Sequence, residues 1–176
     1  MPAAGRNDPW IGRTFGNVVI QTPLGAGGMA TVYKGLHKAF AKEVAVKILP
    51  PRHDQAGESL AKRFLREGRT TARIQHENVV QVMDSGVQDG VAYLVMELVD
   101  GQSLGSRLDD VGRLAEDEVL RMAEGIVRGL KAVHAQGVIH RDIKPDNILI
   151  TREGVPKVAD LGLARQLDDP ELNRLT

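Results

Sequence analysis

Cysteine is absent from this 176-residue sequence, which excludes disulfide staples and thiolate metal centres and fits a reducing compartment. An excess of either charge is absent as well: Lys+Arg and Asp+Glu both number 23, for a formal net charge of zero. No global field draws the chain to nucleic acid or to an acidic membrane surface, and neither is expected as a partner. Long apolar runs are also missing. The longest, Val91 to Met96, has the length of a strand and stops at Glu97, far short of the roughly 20 residues that a spanning helix needs. Met1 to Gly16 has no apolar stretch of the kind a signal peptide carries. These absences point to the cytoplasm. What is present, 42% hydrophobic and 26% charged residues, is the make-up of an ordinary globular domain long enough to bury a core.

The first half reads as strands. Asn17 to Leu24 and Thr31 to Leu36 flank a Gly-rich turn, and Glu43 to Leu49 stops at Pro50-Pro51. A helix is predicted over Glu58 to Ile74. Strands are predicted over Val79 to Val87 and Val91 to Met96, joined by the turn Gln88-Asp89-Gly90. Asp100-Gly101 breaks the pattern as a linker would. Beyond it, Glu116 to Gln136 is predicted as a helix with Val119, Leu120, Ala123, Ile126, Val127, Leu130 and Val133 on one broad apolar face. Short strands come next at Ile148 to Thr151 and Lys157 to Ala159. There is no internal repeat and no low-complexity tract.

Leu24-Gly25-Ala26-Gly27-Gly28-Met29-Ala30-Thr31-Val32 lies between two strands. Glycines there let the backbone approach a ligand and offer N–H groups to phosphate oxygens, though Gly-rich hairpin turns are common without any ligand. The absence of a following helix argues against a dinucleotide fold. In the next strand, alternation puts Ala45, Lys47 and Leu49 on one face. Lys47 either points to water from an exposed sheet face or is buried and in need of a partner. Leu60, Phe64, Glu67, Thr71 and Ile74 share one helix face, so Glu67 is either a solvated carboxylate at the edge of that stripe or the partner of Lys47.

The second half carries the sharper signal. His140-Arg141-Asp142-Ile143-Lys144-Pro145-Asp146-Asn147 cannot be a regular helix, because Pro145 would break it. It leads into a hairpin, and Asn147 and Asp160 lie symmetrically about Glu153-Gly154. Paired strands are therefore expected to bring the Asn147 amide and the Asp160 carboxylate together as a Mg²⁺ site, since that ion prefers oxygen ligands and takes few from protein. Asp142 is left to handle a proton.

These residues resemble the protein kinase family. Gly25 and Gly27 are similar to the first two glycines of its phosphate loop, and Val44-Ala45-Val46-Lys47 to its phosphate-holding strand. Glu67 is similar to the helix partner of that lysine, His140-Arg141-Asp142 to Asn147 to the catalytic loop, and Asp160-Leu161-Gly162 to the metal-binding motif. The Gly27-Gly28-Met29 tip resembles the bacterial serine/threonine branch. The resemblance implies an α+β, two-lobed protein-kinase-like fold. Its parts would be a tail over 1–11, a complete small β-rich lobe with one main helix over 12–98, and a truncated helical large lobe over 99–176. It implies ATP and Mg²⁺ as cofactors and protein substrates with Ser or Thr acceptors. Asp142, Lys144, Lys47 and Glu67 would be catalytic, and Asn147 and Asp160 the metal ligands. Leu24, Gly25, Ala26, Gly27, Val32, Ala45, Met96, Glu97, Val99 and Leu149 would line the nucleotide, with Met96 as gatekeeper and Glu97 and Val99 as hinge.

Some residues depart from the pattern: Ala30 stands for the third glycine, Leu161 for phenylalanine, and Thr71 for an apolar helix contact. Thr176 falls 16 residues after Asp160, inside what resembles the activation segment. From this, activation by phosphorylation at Thr176 or shortly beyond it, through Arg141, is expected of a longer parent. A chain cut there is expected to leave helical surface uncovered, to self-associate and to turn over poorly. Two rival readings stay open: a nucleotide-binding fragment without turnover, and a small-molecule kinase of similar fold. His37, His53, His76 and His134 show no metal-ligand spacing, and His140 is expected to pack in the core.

Overall fold

The computed structural model describes residues 8–26, 30–52, 54–161 and 165–166. Gly27, Gly28, Met29, His53, Gly162 and Thr176, singled out in the sequence, lie outside them. The chain divides into two compact units. One combines the residues up to Arg69 with Val82–Leu98, and the other combines Thr70–Gln81 with the residues from Val99 onward.

The first unit is built on an antiparallel sheet of six strands. They are β1 (Thr14–Phe15), β2 (Val18–Ala26), β3 (Thr31–His37), β4 (Lys42–Leu49), β5 (Val82–Gln88) and β6 (Val91–Glu97), in the order β1-β2-β3-β4-β6-β5. The central strand β4 buries apolar residues on both faces, with the half-buried Lys47 between Ala45 and Leu49 on one of them. Val44, Val46 and Ile48 pack with Phe15, Val18, Ile20, Tyr33, Tyr93 and Val95. Leu49 packs on the opposite side with Ala92, Leu94 and Phe64, the last from helix α1 (Gln55–Thr71). The turn between β5 and β6 is Asp89-Gly90, with φ of 50° and 76°, the left-handed pair that matches the twist of a two-residue hairpin.

Helix α1 starts three residues before its expected first residue. Asp54 sits ahead of it, and its Oδ1 accepts the Gly57 N–H at 2.7 Å, satisfying one of the donors a helix start leaves open. The same carboxylate pairs with Arg52 Nη2 at 2.9 Å. The Gly57 bond first, and Arg52 second, hold its pKa below the ordinary 3.8.

The second unit contains β7 (Gly101–Ser103), α2 (Leu104–Val111), α3 (Glu116–Ala135) and β8 (Val138–Ile139), then a 3-10 turn (Pro145–Asn147), β9 (Ile148–Thr151), β10 (Pro156–Val158) and β11 (Arg165–Gln166). Strands β10, β9 and β7 form one sheet in that order, and β8 pairs with β11. Ser103 caps α2, its Oγ accepting the Ser106 N–H at 3.0 Å. Gly112 closes that helix with φ of 69° and a bond from its N–H to Leu108 O at 2.8 Å. Arg107 joins α2 to the start of α3 through Glu118 Oε1.

The strand expected from Val79 begins only at Val82, because residues 78–80 belong with the second unit, where Val79 makes a parallel bridge to Val158. The broad apolar face expected on α3 is also divided. Leu120 is 60% and Val127 64% exposed, and Val119 is exposed too, whereas Met122, Gly125, Gly129 and Val133 are buried. The helix packs through its glycines, which an apolar-residue count passes over.

The packing of α1 on its sheet makes a direct prediction. Phe64 is its one fully covered aromatic anchor among the described residues, so Phe64→Ala should cost about 3–5 kcal/mol, read as a fall in the urea midpoint of unfolding. A change below about 0.5 kcal/mol, the scale of a surface substitution, would show that α1 is held by other means.

Candidate active site

In the first unit, the end of β2 and the start of β3 carry the Gly-rich turn. Gly25 pairs with Val32 and Ala26 with Thr31, after a register shift between Pro23 and Gly25. Leu24, Gly25 and Ala26 are exposed. Val32, Lys47 and Leu94 form one row across β3, β4 and β6, and Ala45 is level with Met96 in the neighbouring row. Glu97 pairs with Val44 at the end of β6. Lys47 is half-buried, and so is Glu67 on α1. Gly68, the next residue along α1, lies so close to the Leu94 side chain that a Cβ there would require that side chain to move. The contact at Gly68 thus sets α1 against the row that contains Lys47, with Glu67 one residue before it. Neither side chain is without a partner.

In the second unit the segment 140–147 has no strand or helix ladder until its last three residues, so its polar groups must be satisfied individually. His140 is 1% exposed, as expected of a packed histidine. Its Nε2 lies 2.8 Å from Ala159 O, and its Nδ1 lies 3.3 Å from the Asp142 N–H. Both bonds are met at once when Nε2 carries the proton and Nδ1 accepts. Asn147, also buried, donates its Nδ2 to Asp142 O at 2.8 Å and to Asp142 Oδ2 at 2.9 Å. Lys144 Nζ lies 3.1 Å from the same Oδ2. The lysine first, and the Asn147 amide second, hold the Asp142 carboxyl below the ordinary 3.8.

The hairpin register differs from the expected one by a residue. Ile150 pairs with Pro156, Leu149 with Lys157 and Ile148 with Val158, which sets Asn147 level with Ala159 rather than Asp160. The Ala159 N–H bonds Asn147 O at 2.8 Å. The cause is the turn: three residues, Arg152 to Gly154, lie inside the Thr151 N–H to Val155 O bond, with Gly154 at φ of 83°. An odd loop moves the centre onto Glu153. Asp160 is the next residue past that pairing and turns out of the strand with φ of 61°, while Arg141, just before Asp142, has φ of 63°. Neither left-handed residue was legible in the sequence, since ordinary side chains rarely adopt that conformation.

The site's motif residues thus fall into two groups, one in each unit. The family described as "Protein kinase domain" matches residues 18–175, and the chain belongs to that family. Its relatives are of bacterial type. A "Probable serine/threonine-protein kinase" of Clostridium perfringens is 38% identical over 159 residues, covering 90% of this chain and 23% of its own length. The serine/threonine-protein kinase PknA of Mycobacterium tuberculosis is 39% identical, covering 91% of this chain and 38% of its own length. PknL of the same species is 36% identical, covering 94% and 41%. The chain therefore spans less than half the length of each of these relatives.

The electrostatics give a testable order. Lys144→Met should raise the Asp142 pKa toward the ordinary range more than Asn147→Ala does, as read by carbonyl NMR titration. Because the folded pKa lies below the unfolded one, Asp142 contributes stability above the unfolded value and loses it as pH falls through the folded one. An Asp142 that titrates in the ordinary range in the unaltered protein would contradict the geometry.

Proposed function

We propose that this chain transfers the γ-phosphoryl group of ATP to Ser or Thr hydroxyls of proteins in the cytoplasm, as part of a signalling kinase. The observation that carries this reading is Asp142, an ionised carboxylate held at one oxygen by both Lys144 and Asn147 on a loop tied down through His140. In the reaction the acceptor oxygen bonds the γ-phosphorus, the bond to the β–γ bridging oxygen breaks, and ADP leaves. Asp142 accepts a hydrogen bond from the hydroxyl and takes its proton. Its lowered basicity suits a proton that leaves late, as expected for a loose transition state. Lys144, now on Asp142, is the cation available to the γ-phosphate.

The donor set fits Mg²⁺. With its Nδ2 given to Asp142, Asn147 offers a cation only its side-chain oxygen, and Asp160 offers a carboxylate. Two hard oxygen ligands with the rest from phosphate and water are what Mg²⁺ takes. When bound, the ion neutralises phosphate charge. Lys47, oriented by Glu67, holds the α- and β-phosphates, with Gly25, Ala26 and Gly27 beside them. Leu24, Val32, Ala45, Met96, Glu97, Val99 and Leu149 take the adenosine. Much of the rate would come from positioning and charge stabilisation. Self-association would use the exposed Leu120 and Val127 of α3.

The test pairs two variants. Lys47→Met should lose most Mg²⁺·ATP affinity by calorimetry. Asp142→Asn should keep that affinity and lose about 10²–10⁴-fold in transfer to a protein acceptor, the usual weight of a general base. ATP binding without transfer by the unaltered chain would favour the regulator reading, and transfer only to small molecules would favour the other rival.

A further inference from the structure

The strand that leads to Asp160 is held on its outer edge by a segment outside every motif so far described. Asn78 is 2% exposed. Its main-chain oxygen accepts the Val158 N–H at 2.8 Å, and the Val80 N–H donates to Val158 O at 2.9 Å. Both main-chain groups of Val158 are thus committed to residues 78–80. The Asn78 side chain adds a third tie, its Nδ2 donating to Pro156 O at 2.8 Å. His76 Nδ1 in turn accepts the Asn78 N–H at 3.1 Å.

Helix α3 closes on the back of this clamp. Gly125 and Gly129 lie one turn apart on its buried face. A Cβ at Gly129 would run into Asn78 O, and one at Gly125 would press on Pro156 and come within 3.1 Å of Asn78 Nδ2. Asn78 O is main chain and already bonded, so it cannot swing aside as a flexible side chain would. Downstream, Ala159 is fixed by Asn147 on one group and His140 on the other. Asp160 comes directly after, in a left-handed conformation that only a constrained neighbourhood maintains.

We propose that Asn78 is a positioning residue for the Asp160 carboxylate, acting through β10 with Gly129 as its backstop. This rests on the reading of Asp160 as a Mg²⁺ ligand. Without the amide, β10 keeps its pairing with β9 but loses a tie on its outer edge, and the aspartate at its end loses its fixed place. Supporting residues behind a metal ligand typically govern about 10–100-fold in metal affinity.

The experiment is a Mg²⁺ titration of nucleotide binding on the full chain, with binding in EDTA as the reference. Asn78→Ala and, separately, Gly129→Ala should raise the Mg²⁺ concentration at half-saturation by about tenfold while metal-free nucleotide affinity stays as in the unaltered chain. A lower binding amplitude at an unchanged midpoint would mean a merely structural role and would overturn the proposal. So would unchanged titrations in both variants. An unaltered chain with no Mg²⁺-dependent binding would instead strike the phosphotransfer reading. The unaltered protein gives a check that needs no variant to fold: the Val80 and Val158 amides should exchange hydrogen slowly and together, and slow further when Mg²⁺ is added to the nucleotide-bound chain. Exchange indifferent to Mg²⁺ there would overturn the positioning role.

Discussion

The Asn147 amide is the point on which the second unit's chemistry turns. One buried side chain meets both the main-chain and the side-chain oxygen of Asp142, while its own main-chain oxygen receives Ala159. A segment with no ladder of its own must otherwise leave its polar groups to water, and water does not fix a carboxylate. Because the bonds of Asn147 run in both directions, the loop and the hairpin after it hold one another. The 3-10 turn at Pro145–Asn147 makes this possible by folding the amide back over the preceding residues.

That mutual hold also accounts for where the backbone is strained. Arg141 and Asp160, both non-glycine and both left-handed, flank the two ends of the bonded group. Each such residue costs on the order of 1–3 kcal/mol, and each sits beside a residue that is tied down: Arg141 between His140 and Asp142, Asp160 after Ala159. The bonds of His140 and Asn147 offset the strain locally, and the neighbouring Val138, Ile148, Val158 and Leu161 lie in one buried apolar cluster. The result is an Asp142 held at its main chain by His140 and Asn147 and at its carboxylate by Asn147 and Lys144.

Much of the architecture was legible because it rests on local signals. Five of the first unit's six strands, the Asp89-Gly90 turn and the Pro145 break rest on signals within a few residues; the two-residue β1 and the start of β5 at Val82 do not. The family's motif residues were legible for the same reason, as spacing along the chain. What escaped the sequence depends on the geometry of single turns and caps or on pairs distant in it. The hairpin register turned on whether the loop held two residues or three. The start of α1 turned on one Asp54 cap. The face of α3 turned on glycines, whose contribution is the room they leave and therefore has no hydrophobic signature. Asn78 was invisible for a related reason: an asparagine between His76-Glu77 and Val79-Val80 looks like a loop residue until Pro156 and Val158 are brought beside it.

The path of the chain between the two units carries a practical consequence. It leaves the first unit after Arg69, returns at Val82 and leaves again after Leu98, so no single cut separates them. A fragment ended at the obvious break near Leu98 would carry away residues 78–80, and the remainder would present the outer edge of β10 as bare N–H and C=O groups. Such an edge invites pairing with another chain. Anyone expressing the halves apart should therefore find the second one sticky for reasons of backbone rather than of hydrophobic surface, and would do better to graft residues 70–81 onto it than to mutate its exposed leucines and valines.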